Sequence, residues 1–253
     1  MGRPPVVTAH HHHWFVAAGV IALLTVIGGG GLVFVWESGP TNPYLLGVLV
    51  GFTAIAATTW RAFQLARIEV GPERITIATW VTVARGGALV LLVGFLVVSQ
   101  PAGMIAWAPG ILFAIAAAVD AVDGAVARWL DCESKLGERL DVEFDALTIL
   151  VGAVLAVRYG VAPTVFVIVG FARYAFVAGL KYRRFRGYDV HELDPSNLRR
   201  ALGGGAMVVI WLALVPISNV SLSRVFAWLI LIPFLVNFTR DWLVVSGRLA
   251  GSE

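Results

Sequence analysis

Residues 120–145 read DAVDGAVARWLDCESKLGERLDVEFD, a run crowded with carboxylates in a chain of which only 14% of residues are charged. Asp120 and Asp123 stand three residues apart and Asp141 and Asp145 four apart, spacings that project each pair from one face of a helix. Between the pairs lies a polar stretch punctuated by Gly124 and Gly137, where one helix can end and the next begin. Apolar runs flank it, approximately Met104 to Arg128 before and Leu140 to Val157 after. Antiparallel neighbours joined this way bring four carboxylates together at one depth.

The rest of the chain explains why that depth is the edge of a bilayer. Of its 253 residues 58% are hydrophobic, against roughly 45–50% in a soluble domain, and its mean hydropathy is +0.83. A spanning helix needs about 20 mostly apolar residues. Besides the two flanking runs, the segments that qualify are approximately Trp14 to Trp36, Tyr44 to Arg61, Thr79 to Ser99, Val161 to Leu180, Ala201 to Ile217 and Val225 to Val245. The predicted fold is therefore an all-α, polytopic integral membrane bundle of about eight transmembrane helices. The first run is long, uncharged and without a clear cleavage site, so it reads as a span and not a signal peptide. Its glycines, Gly28 to Gly31, would weaken an isolated helix but are tolerated where neighbours pack closely.

Charge sets the expected orientation. The net charge of +3 is no nucleic-acid signature, because Lys and Arg fall on alternate loops: Arg67 and Arg74, then Lys135 and Arg139, then Lys181 to Arg200, then Arg248. The opposite loops, around Glu37 to Asn42, Gln100 to Gly103, Arg158 to Ala162 and Ser218 to Arg224, hold only two arginines. By the positive-inside rule both termini and the acidic stretch face the cytoplasm, in a multi-pass protein of the cell membrane. The single cysteine, Cys132, excludes an intrachain disulfide framework. The tryptophans near span ends, among them Trp14, Trp36, Trp60 and Trp228, read as interface anchors or packing.

Four carboxylates drawn partly out of water repel one another, and each costs several kcal/mol unless something compensates. Oxygen-only ligands select hard divalent cations such as Mg²⁺, Mn²⁺ or Ca²⁺ over zinc, and four of them suffice for two ions. The alternative is that they are solvated helix ends favoured by the dipole. The full pattern decides against that: Asp120, Asp123, Gly124, Ala127, Arg128, Gly137, Asp141 and Asp145 spell D-x2-D-G-x2-A-R-x8-G-x3-D-x3-D. Eight fixed positions match by chance at roughly one in 10⁹ per starting point.

This arrangement closely resembles the signature of the CDP-alcohol phosphotransferase family, integral membrane enzymes of phospholipid synthesis. The resemblance covers about residues 75 to 245, and implies a six-helix core over 71–253 preceded by a two-helix extension over 1–70. It implies two divalent cations, with Asp120, Asp123 and Asp141 holding one, Asp120, Asp141 and Asp145 the other, and Asp145 doubling as general base. It implies a CDP-lipid donor contacted by Gly124, Ala127, Arg128, Ser134 and Gly137, and an alcohol acceptor. The segment TIATWVTVAR, Thr76 to Arg85, resembles the family's first core helix and adds Thr79 and Thr82 to the donor contacts. Many relatives have Asn in place of Thr79. Relatives also form homodimers, which extends to this chain as an expectation.

Two arginines, Arg85 and Arg173, lie roughly 10 Å inside their spans at 1.5 Å per residue. Intramembrane cations are costly and face a cavity or a partner, or snorkel to the surface. A polar chamber shared with the aspartates accounts for both. Beyond Arg173 runs KYRRFRGYDVHELDPSNLRR, residues 181–200, which reads as a positive-inside loop or as recognition of anionic groups. Arg85, Arg173, Lys181 and Arg199 are accordingly the acceptor and phosphate candidates, and they favour a phosphorylated alcohol such as glycerol phosphate or inositol phosphate. The competing function is a divalent-cation transporter or channel built on the acidic cluster, but such a protein places its ion site near the midplane and often shows paired repeats. The carboxylates here favour one side, and the halves are dissimilar.

Overall fold

The computed structural model describes residues 7–36, 39–70, 76–117, 134–217 and 219–249. Among them the regular structure is wholly helical. The helices are α1 (Val7–Val35), α2 (Thr41–Val70), α3 (Ile77–Gly94), α4 (Gly103–Ala117, opening with a 3-10 turn), α5 (Lys135–Arg158), α6 (Val167–Phe185), α7 (Asn197–Leu214) and α8 (Val220–Val245). Five described segments are long and apolar enough to cross a membrane: His13–Val35, Thr41–Ile68, Thr79–Val97, Thr164–Phe185 and Val220–Val245. The chain is thus a polytopic helical membrane protein. The run expected from Met104 is described only to Ala117, and its remainder lies outside the described residues. The runs expected from Leu140 and Ala201 are helical, as α5 and α7, but fall short of that apolarity. The reason is charge: α5 carries Asp141, Glu143 and Asp145, and the 18-residue α7 carries Arg199 and Arg200 near its start.

The chain divides into two compact units, Met1–Thr148 and Ile149–Glu253. In the first, α1 and α2 both pack along α3, and small residues make the approach possible. A Cβ at Gly94 would lie 2.6 Å from the Tyr44 ring, and one at Gly51 would lie 2.9 Å from Val93 Cβ. Without a hydrophobic drive between helices in lipid, such close contact is what holds them. The glycine run of α1 neither breaks nor ends the helix, since a Cβ at Gly28 would meet Leu91 at 2.6 Å. Tyr44 is fully buried, its hydroxyl donates to the Leu91 carbonyl at 3.2 Å, and its ring lies 4.9 Å from that of Phe95. Trp36 stacks on Phe95 at 5.8 Å. Trp14 meets Trp60 edge-on at 5.1 Å and donates to the Ala56 carbonyl, so these tryptophans are packing residues, whereas Trp228 is exposed.

In the second unit α7 packs against α8 and α6 also meets α8. Phe176 of α6 lies 5.8 Å from both Phe238 and Trp242 of α8. The basic stretch after α6 is tied down: Arg183 donates to the Asp189 carbonyl at 2.8 Å and to that of Ser246 at 3.3 Å, and His191 N donates to the Val245 carbonyl. Ser196 caps α7, its hydroxyl accepting from Arg199 N.

At Gly170 a Cβ would stand 2.7 Å from the Leu150 Cα, a backbone atom that cannot rotate away. Gly204, on α7, would meet nothing within 4 Å. Gly170→Ala is therefore expected to lower stability by about 1–3 kcal/mol through overpacking, while Gly204→Ala leaves it unchanged or raises it by up to about 1 kcal/mol. Thermal unfolding of the two variants in one detergent, beside the parent, checks the contrast.

Candidate functional site

The candidate site is built by α3 and the start of α5. Thr76 caps α3, its hydroxyl accepting from Thr79 N at 3.2 Å. Ser134 caps α5 in the same way, accepting from Gly137 N at 3.0 Å. Such caps satisfy amide donors that the first helical turn leaves open. Thr79 joins the two caps: its hydroxyl shares a hydrogen bond with Thr76 at 3.0 Å and another with Ser134 at 2.9 Å. A Cβ at Gly137 would lie 3.0 Å from both the Ser134 and the Thr79 oxygen. Three expected donor contacts, Thr79, Ser134 and Gly137, thus meet at one point where two helix N-termini, each favourable to negative charge, lie side by side. Thr82, one turn further along α3, is buried.

The next level along the same two helices holds charge. Arg85 is buried, and its side chain is wholly enclosed. Its Nη1 donates to Asp141 Oδ1 at 2.9 Å, and its Nη2 pairs with Asp145 Oδ1. An enclosed guanidinium without anionic partners would cost several kcal/mol, and these two carboxylates offset that cost. They remain 31% and 27% exposed, so the acidic side of the cluster is open while the basic side is shut. Because both reach one guanidinium, Asp141 and Asp145 converge from successive turns of α5.

This donor set fits a hard divalent cation. It consists of oxygen alone, the two carboxylates converge, and each keeps accessible surface. Among the described residues no group of three or more His, Cys, Asp or Glu side chains gathers as a metal cluster. The partners required from sequence, Asp120 and Asp123, lie outside the described residues, as do Gly124, Ala127 and Arg128.

The other acceptor candidates, Arg173, Lys181 and Arg199, belong to the second unit. Arg173 lies exposed on α6, and Lys181 is exposed near that helix's end. Arg199 donates from Nε to Asp241 Oδ2 at 3.0 Å and from Nη2 to the Asp194 carbonyl. Asn237 also donates to Asp241 Oδ2, at 3.0 Å. The sequence reading passed over Asp241. The signal that could have found it is a carboxylate inside an apolar run, with an amide four residues earlier on the same helix face.

Residues 75–240 match the profile of the CDP-alcohol phosphatidyltransferase family. The chain belongs to that family. Its class is therefore a phospholipid-synthesis transferase that moves a phosphatidyl group from a CDP-alcohol donor to an alcohol, in a family that uses divalent metals, and not a cation transporter. Comparison with curated proteins and with solved structures yields no match. The matched segment contains all of α3 and α5 and hence every described residue of the candidate site, whereas α1 and α2 precede it.

Ser134→Ala removes a helix cap and its link to Thr79 together. A loss of about 0.5–2 kcal/mol is expected from the cap alone, read as a lower unfolding temperature. The same variant should bind a CDP-lipid more weakly in an equilibrium assay, whereas Ser221→Ala, far along the chain, should not.

Proposed function

We propose that this transferase passes a phosphatidyl-type group from a CDP-linked lipid to a small alcohol that itself carries a phosphate, releasing CMP, with Asp145 as the general base. The observation that carries the reading is the convergence of Asp141 and Asp145 upon one enclosed arginine, beside the Thr79, Ser134 and Gly137 cluster, within the matched segment. Two acidic groups at one level and a hydroxyl cluster at the next suit a diphosphate joined to a nucleoside.

Each residue then has a task. Gly124, Ala127, Arg128, Ser134, Gly137, Thr79 and Thr82 receive the CDP portion, with Gly124 allowing close backbone approach and Arg128 presenting a planar fork to the diphosphate. Asp120, Asp123, Asp141 and Asp145 would hold two divalent cations, Mg²⁺ or Mn²⁺. Bound there, such ions supply neutralisation of the diphosphate and of the charge that develops on departing CMP. Asp145 accepts the proton of the acceptor hydroxyl as its oxygen bonds to the phosphorus bearing the lipid alcohol; the bond from that phosphorus to the CMP oxygen breaks. Arg173, Lys181 and Arg199 supply the positive charge that favours glycerol phosphate or inositol phosphate over an uncharged alcohol. The donor is CDP-diacylglycerol or its ether counterpart, because apolar tails can lie among exposed apolar helix faces while the nucleotide stays with the polar groups.

The same reading places the protein in the cell membrane with eight spans, both termini and the site toward the cytoplasm. Residues 71–253 form the catalytic core, 1–70 an added pair of helices, and two copies pair as a homodimer. Support for the orientation comes from the distribution of Lys and Arg among the loops.

Asp145→Asn is expected to keep donor binding and to lose CMP release by on the order of 10²–10⁴-fold, the usual contribution of a general base. Measuring CMP from CDP-diacylglycerol against a panel of alcohols tests both the base and the acceptor; turnover near the parent rate would remove Asp145 from that role. Chelation with EDTA should abolish CMP release, and excess Mg²⁺ or Mn²⁺ should restore it. Activity that survives exhaustive chelation would rule out the metal-dependent reading.

A further inference from the structure

Among the described residues, Arg85 engages two of the expected metal ligands, Asp141 and Asp145. Its side chain is enclosed, and the fork of its guanidinium spans two carboxylates from successive turns of α5. That is a two-point grip in which two nitrogens of one rigid plane set the spacing of the carboxylates, whereas a lysine ammonium would have to draw both to a single atom. The backbone behind it is also held. At Gly86 a Cβ would meet Phe144 at 3.1 Å, Ile21 at 3.3 Å and Ile55 at 3.4 Å, so α1, α2 and α5 all close upon α3 beside Arg85. Phe144 is itself the neighbour of Asp145 and fully buried. The first two helices thus back α3 at Gly86, and the arginine one residue earlier grips the acidic pair.

We propose that Arg85 is a positioning residue: it holds Asp141 and Asp145 at a common height and sets how strongly they draw a divalent cation, instead of contacting the acceptor. This rests on the metal-dependent reading above. Two consequences oppose each other. The guanidinium keeps the carboxylates oriented, which favours productive geometry, but its positive charge weakens their pull on a second cation. The electrostatic effect dominates binding, because a full charge sits within one hydrogen bond of both ligands in a sheltered place, whereas release of the grip frees only a few side-chain torsions. The geometric effect dominates turnover, where a displacement of about 1 Å costs on the order of 10²-fold.

The experiment compares the full chain, detergent-solubilised, with Arg85→Gln and Arg85→Lys. It reads Mn²⁺ affinity from the spin resonance of free Mn²⁺, the kcat and acceptor KM for CMP release, and the unfolding temperature without metal. Arg85→Gln should bind Mn²⁺ more tightly, on the order of tenfold, while kcat falls on the order of 10²-fold and acceptor KM stays within about twofold. Arg85→Lys keeps the charge and loses the fork. It should therefore bind Mn²⁺ as the parent does and recover only part of kcat.

A loss confined to acceptor KM, or an Arg85→Gln protein with parental Mn²⁺ affinity, overturns the proposal in favour of an acceptor contact or a purely structural ion pair. If Arg85→Gln does not fold, Arg85→Lys decides: lowered kcat at constant acceptor KM supports the proposal, and parental kcat or a raised KM overturns it. Failure of the underlying reading looks different, since the parent protein itself would then neither bind Mn²⁺ nor release CMP.

Discussion

A guanidinium enclosed within a helical membrane protein has to be answered by negative charge, and the way Arg85 is answered organises the start of α5. Its two partners lie on α5, so the arginine-bearing turn of α3 is tied to the first turns of α5. Thr79 and Arg85 are six residues apart on one helix, Ser134 and Asp141 seven apart on the other, which at 1.5 Å per residue is roughly 9 and 10 Å. The near equality allows two levels of contact between helices that run the same way: hydroxyls and capped N-termini at the first, an ion pair at the second. Polar groups in this setting are expensive singly and acceptable as a connected set. A nucleotide and its diphosphate present the same order of chemistry, hydrogen-bonding groups followed by charge.

The apolar part of the first unit serves that arrangement. Helices in lipid gain little by hiding apolar surface from one another, so they associate where small residues let backbones come close. Gly51 and Gly94 bring α2 against α3, Gly28 brings α1 against Leu91, and Gly86 accepts Ile21, Ile55 and Phe144 around a single Cα. The added helices are therefore not remote from the chemistry. Through Ile21 and Ile55 they pack against the arginine-bearing turn of α3 at Gly86.

Some of this was legible in the residues and some was not. The spacing of Asp141 and Asp145 announced a shared helix face, and their convergence on Arg85 agrees with it. The Ser196 cap of α7 is a local matter of one side chain and an amide three residues on. Arg85 was recognisable as a charge in an apolar run that required a partner, and it was placed with the acceptor. The structure engages it with the aspartates. Asp241 was passed over because its partner Arg199 lies 42 residues earlier, and nothing local to either residue names the other. Likewise α5 and α7 were read as spans from their apolar content, and both proved helical but too highly charged to count as lone spanning segments.

What the sequence by itself determined is what depends on near neighbours along the chain: a helical, membrane-embedded fold, the family signature, and the faces from which the acidic residues project. Apolar length and the helical period are properties of contiguous residues, so they survive without any knowledge of packing. What only the tertiary structure decided is which groups answer one another: Thr79 with Ser134, Arg85 with Asp141 and Asp145, Arg199 with Asp241. Those choices follow from which helices the glycines allow to approach and at what height, a relation between distant segments that no local pattern encodes.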